Sequence, residues 1–188
     1  MIGLTRLYEE NEVRDFVNKS TPVENVDFKV LNFKEDAGWV YINCKCGDSD
    51  FLIHYSSAVM GLLSLIRFFQ RIIKLKDDVV LFLDNEGSDP MLYVKIMDDN
   101  KVRFIFAQDY ELYKKFVDDE IEDWELEDYK IECDIIVDKK DLIREFYEIL
   151  KDYNFKVYAE SLYIDIKNCK QNLKKIKNFL KKNLKKEW

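Results

Sequence analysis

The stretch WVYINCKCGDSDFLIHY, residues 39–55, decides the fold class. Its first half places apolar side chains and thiols at every second position: Val40, Ile42, Cys44 and Cys46. This two-residue period is typical of a strand with one buried face. Turn-forming residues follow at 47–50, and a second alternating segment begins at Phe51. The stretch predicts an antiparallel hairpin in which Phe51 and Ile53 lie opposite the cysteines, while His54 points to the other face.

The hairpin contains two of the four cysteines, and it raises the question of a metal site. Cys44 and Cys46 lie in the first strand, and His54, the one histidine of the chain, follows in the second. A structural zinc site needs four convergent cysteine or histidine ligands, and the alternation turns His54 away from the two thiols. We therefore expect thiols packed in the core and no metal site, and a reducing compartment argues against disulfides.

Strand and helix patterns alternate along the rest of the chain. Strand patterns occupy residues 26–33, 79–83, 91–97, 102–107, 131–137 and 157–166. Helical patterns occupy residues 4–18, 58–75, 142–150 and 168–184. Turn residues at 85–88 and 98–100 join three consecutive strands, which predicts an antiparallel meander. Asp138 and Asn168 are expected to cap the helices that follow them, and Gln171 completes a capping box with Asn168.

These patterns predict an α+β fold, in which helices pack on a largely antiparallel sheet. No linker rich in glycine, serine or proline interrupts the chain, so we expect one α+β domain over residues 1–166. Residues 167–188 are predicted to form a basic amphipathic C-terminal helix that docks on the same domain. Its apolar stripe consists of Leu173, Ile176, Leu180 and Leu184.

The composition narrows the class of protein. Of the 188 residues, 47% are hydrophobic and 36% are charged, with only 5 Gly and 2 Pro. These values exclude a disordered chain, a collagen-like repeat and a disulfide scaffold. The first ten residues already include Glu9 and Glu10, unlike a secretory signal. The most apolar run, 58–69, is much shorter than the ~20 residues of a membrane span, so we expect a cytoplasmic protein without one.

The net charge of -7 is unevenly distributed along the chain. Residues 167–188 hold nine lysines and one acid, which leaves 21 basic and 36 acidic side chains in residues 1–166. We call residues 1–166 the acidic body. Such an excess of acids repels nucleic acid and anionic membranes, so we expect a basic protein partner and no nucleic acid. The basic segment could attract an anionic membrane, nucleic acid or an acidic protein, but docking on the acidic body of its own chain is the plainest interpretation.

The densest acidic stretch, residues 118–128, contains eight acids, no base and one tryptophan. It is either a solvated loop or a recognition surface, in which the tryptophan is an apolar anchor inside an acidic field. On the second interpretation the partner-binding residues are Asp118, Asp119, Glu120, Glu122, Asp123, Trp124, Glu125, Glu127 and Asp128.

Catalytic signals are weak throughout the sequence. No glycine pattern matches a phosphate-binding loop, and a serine or cysteine triad would have to use His54. The acids Asp84, Glu86 and Asp89 lack the twelve-residue order of a calcium loop. We therefore predict no enzyme activity, no catalytic residues, no cofactor and no metal. Two alternatives stay open. One is an enzyme with a carboxylate-based, metal-dependent site, which carboxylates converging in a cleft would favour. The other is a homo-oligomeric scaffolding protein.

Two sets of segments resemble a known group of proteins. The first is DFLIHYSS at 50–57 followed by LLSLIR at 62–67, and the second consists of LDNEG at 83–87, LYV at 92–94 and VRF at 102–104. Together they resemble small acidic α+β proteins of bacteria, some of which are immunity proteins for polymorphic or contact-dependent toxins. The similarity covers residues 39–107 and part of 131–150. It implies a non-enzymatic inhibitor that occludes a basic toxin domain, and it carries no catalytic residues.

Overall fold

The computed structural model describes residues 10–36, 38–56, 61–74, 77–83, 90–108, 129–153 and 166–184. The helices of this part of the chain are α1 (Glu10–Asn18), α2 (Gly61–Lys74), α3 (Lys139–Leu150) and α4 (Ile166–Leu184). Its strands are β1 (Val23–Glu24), β2 (Phe28–Asp36), β3 (Trp39–Cys46), β4 (Ser49–Ser56), β5 (Val79–Phe82), β6 (Met91–Ile96), β7 (Lys101–Gln108) and β8 (Lys130–Asp138).

The strands form two sheets, and together with the helices they make an α+β fold in a single domain. The larger sheet has the order β1-β8-β7-β6-β5, and its pairs are antiparallel except for the two-residue pairing of β1 with β8. The smaller sheet is an antiparallel meander of β2, β3 and β4. The predicted α+β class is confirmed, and so are the hairpin and the β5–β6–β7 meander. The predicted register of the hairpin is wrong in part: Phe51 pairs with Cys44, but Ile53 pairs with Ile42 and Cys46 with Ser49, because β4 already begins at Ser49 and the turn is two residues shorter than predicted. The structure divides the predicted sheet into two.

The two sheets pack against each other through aromatic side chains. Phe28 of β2 lies 5.4 Å from Phe104 of β7, and Phe51 of β4 stacks at 5.2 Å on Phe106, measured between ring centroids. The alternation of β3 places its buried side chains in the same layer. Each sheet therefore contributes its apolar face to one shared core, as the two-residue period requires.

The helices complete this core. Phe146 of α3 lies 5.9 Å from Phe28, 4.6 Å from Phe69 of α2 and 6.3 Å from Phe104, between ring centroids. Helix α4 contributes four buried side chains to the same cluster: Cys169, Leu173, Ile176 and Leu180. One apolar core thus joins both sheets to α2, α3 and α4.

Helix α1 covers the other face of the larger sheet. Its apolar residues Val13, Phe16 and Val17 pack in a second, smaller cluster with side chains from β6 and β7. The end of the helix is fastened by a buried ion pair between Arg103 and Asp134, whose side chains are each 7% exposed. Both faces of the larger sheet are therefore covered.

Two predicted helix starts are wrong in detail. Asp138 occupies the N-cap position of α3, but its side chain makes no capping hydrogen bond. Asn168 lies inside α4, which already includes Ile166, so the predicted capping box does not form and the predicted strand does not reach Ile166. The amide of Asn172 donates to Asn168 Oδ1 at 2.9 Å, one turn further along the helix. Of the predicted elements, residues 4–9 and 157–165 lie outside the described residues.

Within the described ranges, none of the helices combines the length and the apolar character that crossing a membrane requires.

Candidate functional site

Helices α2 and α4 carry ten basic residues and no acidic residue. These residues are Arg67, Arg71, Lys74, Lys167, Lys170, Lys174, Lys175, Lys177, Lys181 and Lys182. All ten are exposed. The two helices pack side by side, and the side chain of Gln70 donates a hydrogen bond to the backbone oxygen of Asn172 at 2.9 Å. We call this set of ten residues the basic face.

The spacing of charged and apolar residues explains why the basic face forms. On α2, Arg67, Arg71 and Lys74 recur at intervals of four and three residues, which places them on one side of the helix. On α4, five lysines follow the same intervals: Lys167, Lys170, Lys174, Lys177 and Lys181. The buried residues of α4 recur at intervals of four and three on another side. Burial of the apolar stripe therefore leaves the lysines in solvent.

The basic face has no counter-charge among the described residues. None of its ten side chains forms an ion pair with a carboxylate of the described ranges, although ion pairs occur on α3 and on both sheets. Lys175 donates only to the amide oxygen of Asn172, at 3.3 Å. Unpaired like charges on two adjacent helices add to one positive potential.

The grouping of basic residues leaves the rest of the chain more acidic than its total charge indicates. Outside α2 and α4, the sequence holds 20 basic and 37 acidic side chains. The protein is therefore divided by charge, with a positive helical face and a strongly negative remainder. The sequence predicted the basic tail but missed the contribution of α2. Only the packing of two helices that are about a hundred residues apart reveals it.

The predicted partner-binding segment lies outside the described residues. This statement applies to all nine of its residues: Asp118, Asp119, Glu120, Glu122, Asp123, Trp124, Glu125, Glu127 and Asp128. Their role stays a prediction.

Aromatic rings line the outer face of the smaller sheet. His54 stacks on Tyr41 at 4.6 Å and lies 4.8 Å from Trp39, between ring centroids. The three side chains are half-buried and belong to neither core. Next to Tyr41 is an open groove of about 500 Å³, which Asn32 and Asn43 also line. Trp and Tyr on an accessible sheet face are typical of a contact surface for a partner.

His54 is half-buried in this stack, and its neutral form is favoured there. Within the described residues its Nε2 is buried without a hydrogen-bond partner. Burial lowers the pKa of His54 below its usual 6.5. As the pH falls below about 6.5, His54 therefore becomes protonated in the unfolded chain while it is still neutral in the folded protein.

This difference predicts a loss of stability in acid. We expect the urea midpoint of the wild type to fall between about pH 7 and pH 5, and His54→Phe to flatten that part of the profile. The chain has no other histidine, so the comparison isolates one group. Burial raises the pKa of Glu35, which acts in the opposite sense and nearer pH 4.5. Parallel profiles for the wild type and His54→Phe would contradict the prediction.

A cleft of about 310 Å³ lies at the start of α3, and four carboxylates and three cations are among the side chains that line it. Two of the acids are paired: Glu145 with Lys29 at 3.2 Å, and Asp141 with Arg144 at 2.7 Å. Glu145 also accepts a hydrogen bond from the backbone N–H of Val30 at 3.2 Å, which fastens α3 to β2. Among the described residues, no three acidic, cysteine or histidine side chains are arranged to hold a metal ion.

All four cysteines are free thiols. Burial raises the pKa of the Cys44 thiol. Cys46 of the smaller sheet and Cys133 of the larger sheet share a thiol–thiol hydrogen bond, which lowers the pKa of Cys46 and raises that of Cys133. The sequence could not indicate this contact, because the two residues meet only when the sheets pack together.

The chain has no match in three comparisons with known proteins. Neither a protein-family model, nor a curated protein, nor a solved structure matches it.

Proposed function

We propose that this protein is a non-catalytic binding protein that engages a basic protein partner through its acidic surface. Its specific form is an immunity-type inhibitor that occludes a basic toxin domain. The observation that supports the proposal is the division of charge: 20 basic and 37 acidic side chains remain once the basic face is set apart. An acidic surface of this kind accelerates association with a basic partner and disfavours anionic ones.

The mechanism of inhibition is steric and electrostatic. Acids around residues 118–128 attract the partner, and Trp124 is the apolar anchor at the centre of the interface. An interface of ordinary size buries roughly 1,600 Å² in total, which is enough to cover an active site on the partner. Affinity falls as salt is added, because the attraction between exposed charges is screened within about 8 Å at physiological ionic strength.

A capture experiment tests this proposal. The tagged chain is incubated with extract of its native cell and washed at low and then moderate salt, and a stoichiometric basic protein is expected to elute as the salt rises. The purified partner is then titrated against Trp124→Ala combined with Asp118→Lys, Glu120→Lys and Glu122→Lys. We expect at least about a thirtyfold loss of affinity, the effect of removing one interface hot spot.

A matched variant controls for the change in charge. Asp48→Lys, Asp50→Lys and Asp99→Lys also convert three acids, all exposed, outside the acidic stretch. This variant should lose only the part of the affinity that comes from long-range attraction between the acidic surface and the basic partner. If the partner bound the wild type, the variant of residues 118–128 and the control variant with equal affinity, the role of residues 118–128 would be refuted.

Self-assembly is a second candidate, since surfaces of opposite charge on one chain can pair between copies. Truncation before α4 does not test it, because this helix buries four side chains in the core. The variant Lys174→Gln/Lys177→Gln keeps the helix and weakens the basic face. Light scattering should then show a smaller mass than for the wild type if copies associate through this face. Equal masses would exclude this mode of assembly.

A further inference from the structure

We propose that the basic face of α2 and α4 binds the phosphate backbone of nucleic acid without reading its sequence. This inference goes beyond the proposed function, because it concerns a different surface of opposite charge. It also departs from the expectation that no nucleic acid would bind, which followed from the excess of acids in residues 1–166.

The dimensions of the basic face suit a linear polyanion. The lysine row of α4 begins at Lys167 and ends at Lys181. These residues are fourteen positions apart, which corresponds to about 21 Å along the helix axis. The row of Arg67, Arg71 and Lys74 on the neighbouring helix α2 spans about 10 Å along its own axis. Duplex DNA carries one negative charge per about 1.7 Å of its axis, so its backbone can engage several of these cations together.

The acids of α3 are each paired with another cation. Helix α3 packs against α4, and it carries three acids. Each is paired with a cation outside the basic face: Asp141 with Arg144, Glu145 with Lys29 and Glu148 with Lys151. Acids farther than about 8 Å from these cations are largely screened, since this is the Debye length at physiological ionic strength.

The packing of α4 favours nucleic acid over a membrane. An amphipathic helix holds a lipid surface by burying its apolar side among the acyl chains. The apolar side of α4 is already used: Cys169, Leu173, Ile176 and Leu180 are at most 7% exposed. Only charge remains for binding, and an electrostatic, sequence-independent contact is typical of phosphate-backbone recognition.

Fluorescence anisotropy with a short labelled duplex DNA tests the proposal. We expect binding at about 50 mM NaCl that weakens steeply towards about 200 mM. If five phosphates are neutralised, the slope of log K against log salt is about -4.5. Lys174→Gln/Lys177→Gln removes two contacts and should reduce this slope by about 1.8. Glutamine and lysine have similar helix propensities, so the variant should fold as the wild type does.

The control variant is Lys45→Gln/Lys95→Gln, which removes the same charge outside the basic face and should keep the wild-type slope. Failure of the wild type to bind DNA at the lower salt would overturn the proposal, as would equal slopes for the two variants. Vesicles of phosphatidylserine binding as tightly as DNA, with the same loss in Lys174→Gln/Lys177→Gln, would assign the face to membranes instead. DNA binding that appears only after Asp118→Asn/Glu120→Gln/Glu122→Gln, which removes acids without adding cations, would assign the basic face to the acidic stretch of the chain itself and overturn the proposal.

Discussion

Replacing Asp134 by alanine is expected to lower the free energy of unfolding by about 3–5 kcal/mol, because it leaves a buried guanidinium without its counter-charge. Arg103 donates to Asp134 from Nε at 2.8 Å and from Nη2 at 2.6 Å. The same Nη2 donates to the backbone oxygens of Val17 and Ser20 at 2.8 and 2.9 Å, and the Ser20 hydroxyl donates to Asp134 at 2.6 Å. The ion pair therefore fixes the end of α1 on the larger sheet.

Urea denaturation with two controls checks this prediction. Asp36→Ala removes the acid of an exposed pair, in which the side chain of Lys34 is 66% and that of Asp36 is 60% exposed, and it should change the urea midpoint very little because solvent screens this pair. The double variant Arg103→Met/Asp134→Leu removes both charges and should recover part of the lost stability, because no ion is then left unpaired. A cost of Asp134→Ala no larger than that of Asp36→Ala would show that the pair is not buried as described.

Replacing Phe146 by alanine is expected to cost about 3–5 kcal/mol, the range measured for large aromatic residues in protein cores. Its ring is fully buried and contacts phenylalanines of β2, α2 and β7, so the cavity would open where both sheets and two helices meet. Such a site cannot collapse without moving several elements, which keeps the cost high.

The matched control is Phe33→Ala. Phe33 is half-buried and packs edge-on against Tyr153 at 5.0 Å between ring centroids. Because Phe33 is only half-buried, removing its ring leaves a space that is open to solvent and creates no closed cavity in the core. We therefore expect a clearly smaller loss of stability than for Phe146→Ala in the same urea titration. Equal costs for the two variants would contradict a single core centred on Phe146.

The local parts of the fold could be predicted from the sequence. The alternation in residues 39–55 predicted the hairpin and its buried face. The pairing of Cys44 with Phe51 agrees with the prediction, whereas Ile53 pairs with Ile42 instead of a cysteine. A strand period and a turn lie within a few residues of each other, so a short window contains the information. The helical spacing of the last helix was likewise visible.

The parts that depend on distant contacts could not be predicted. Nothing near Arg103 in the sequence indicates that Asp134 and the end of α1 will surround it. The division into two sheets depends on Phe28 and Phe51 meeting the phenylalanines of β7. The basic face likewise requires α2 to lie beside α4. These features follow from tertiary packing, which pattern and propensity do not specify.

A titration of the partner's activity tests most directly whether this protein inhibits a basic partner by occlusion. The purified basic partner is assayed for its own activity while this protein is added, first at low and then at raised salt. If this protein occludes its partner, the partner's activity is lost as the ratio reaches one to one, and raised salt restores part of that activity by weakening the association. A partner that remains fully active at saturation, while still bound, would contradict occlusion as the function of this protein.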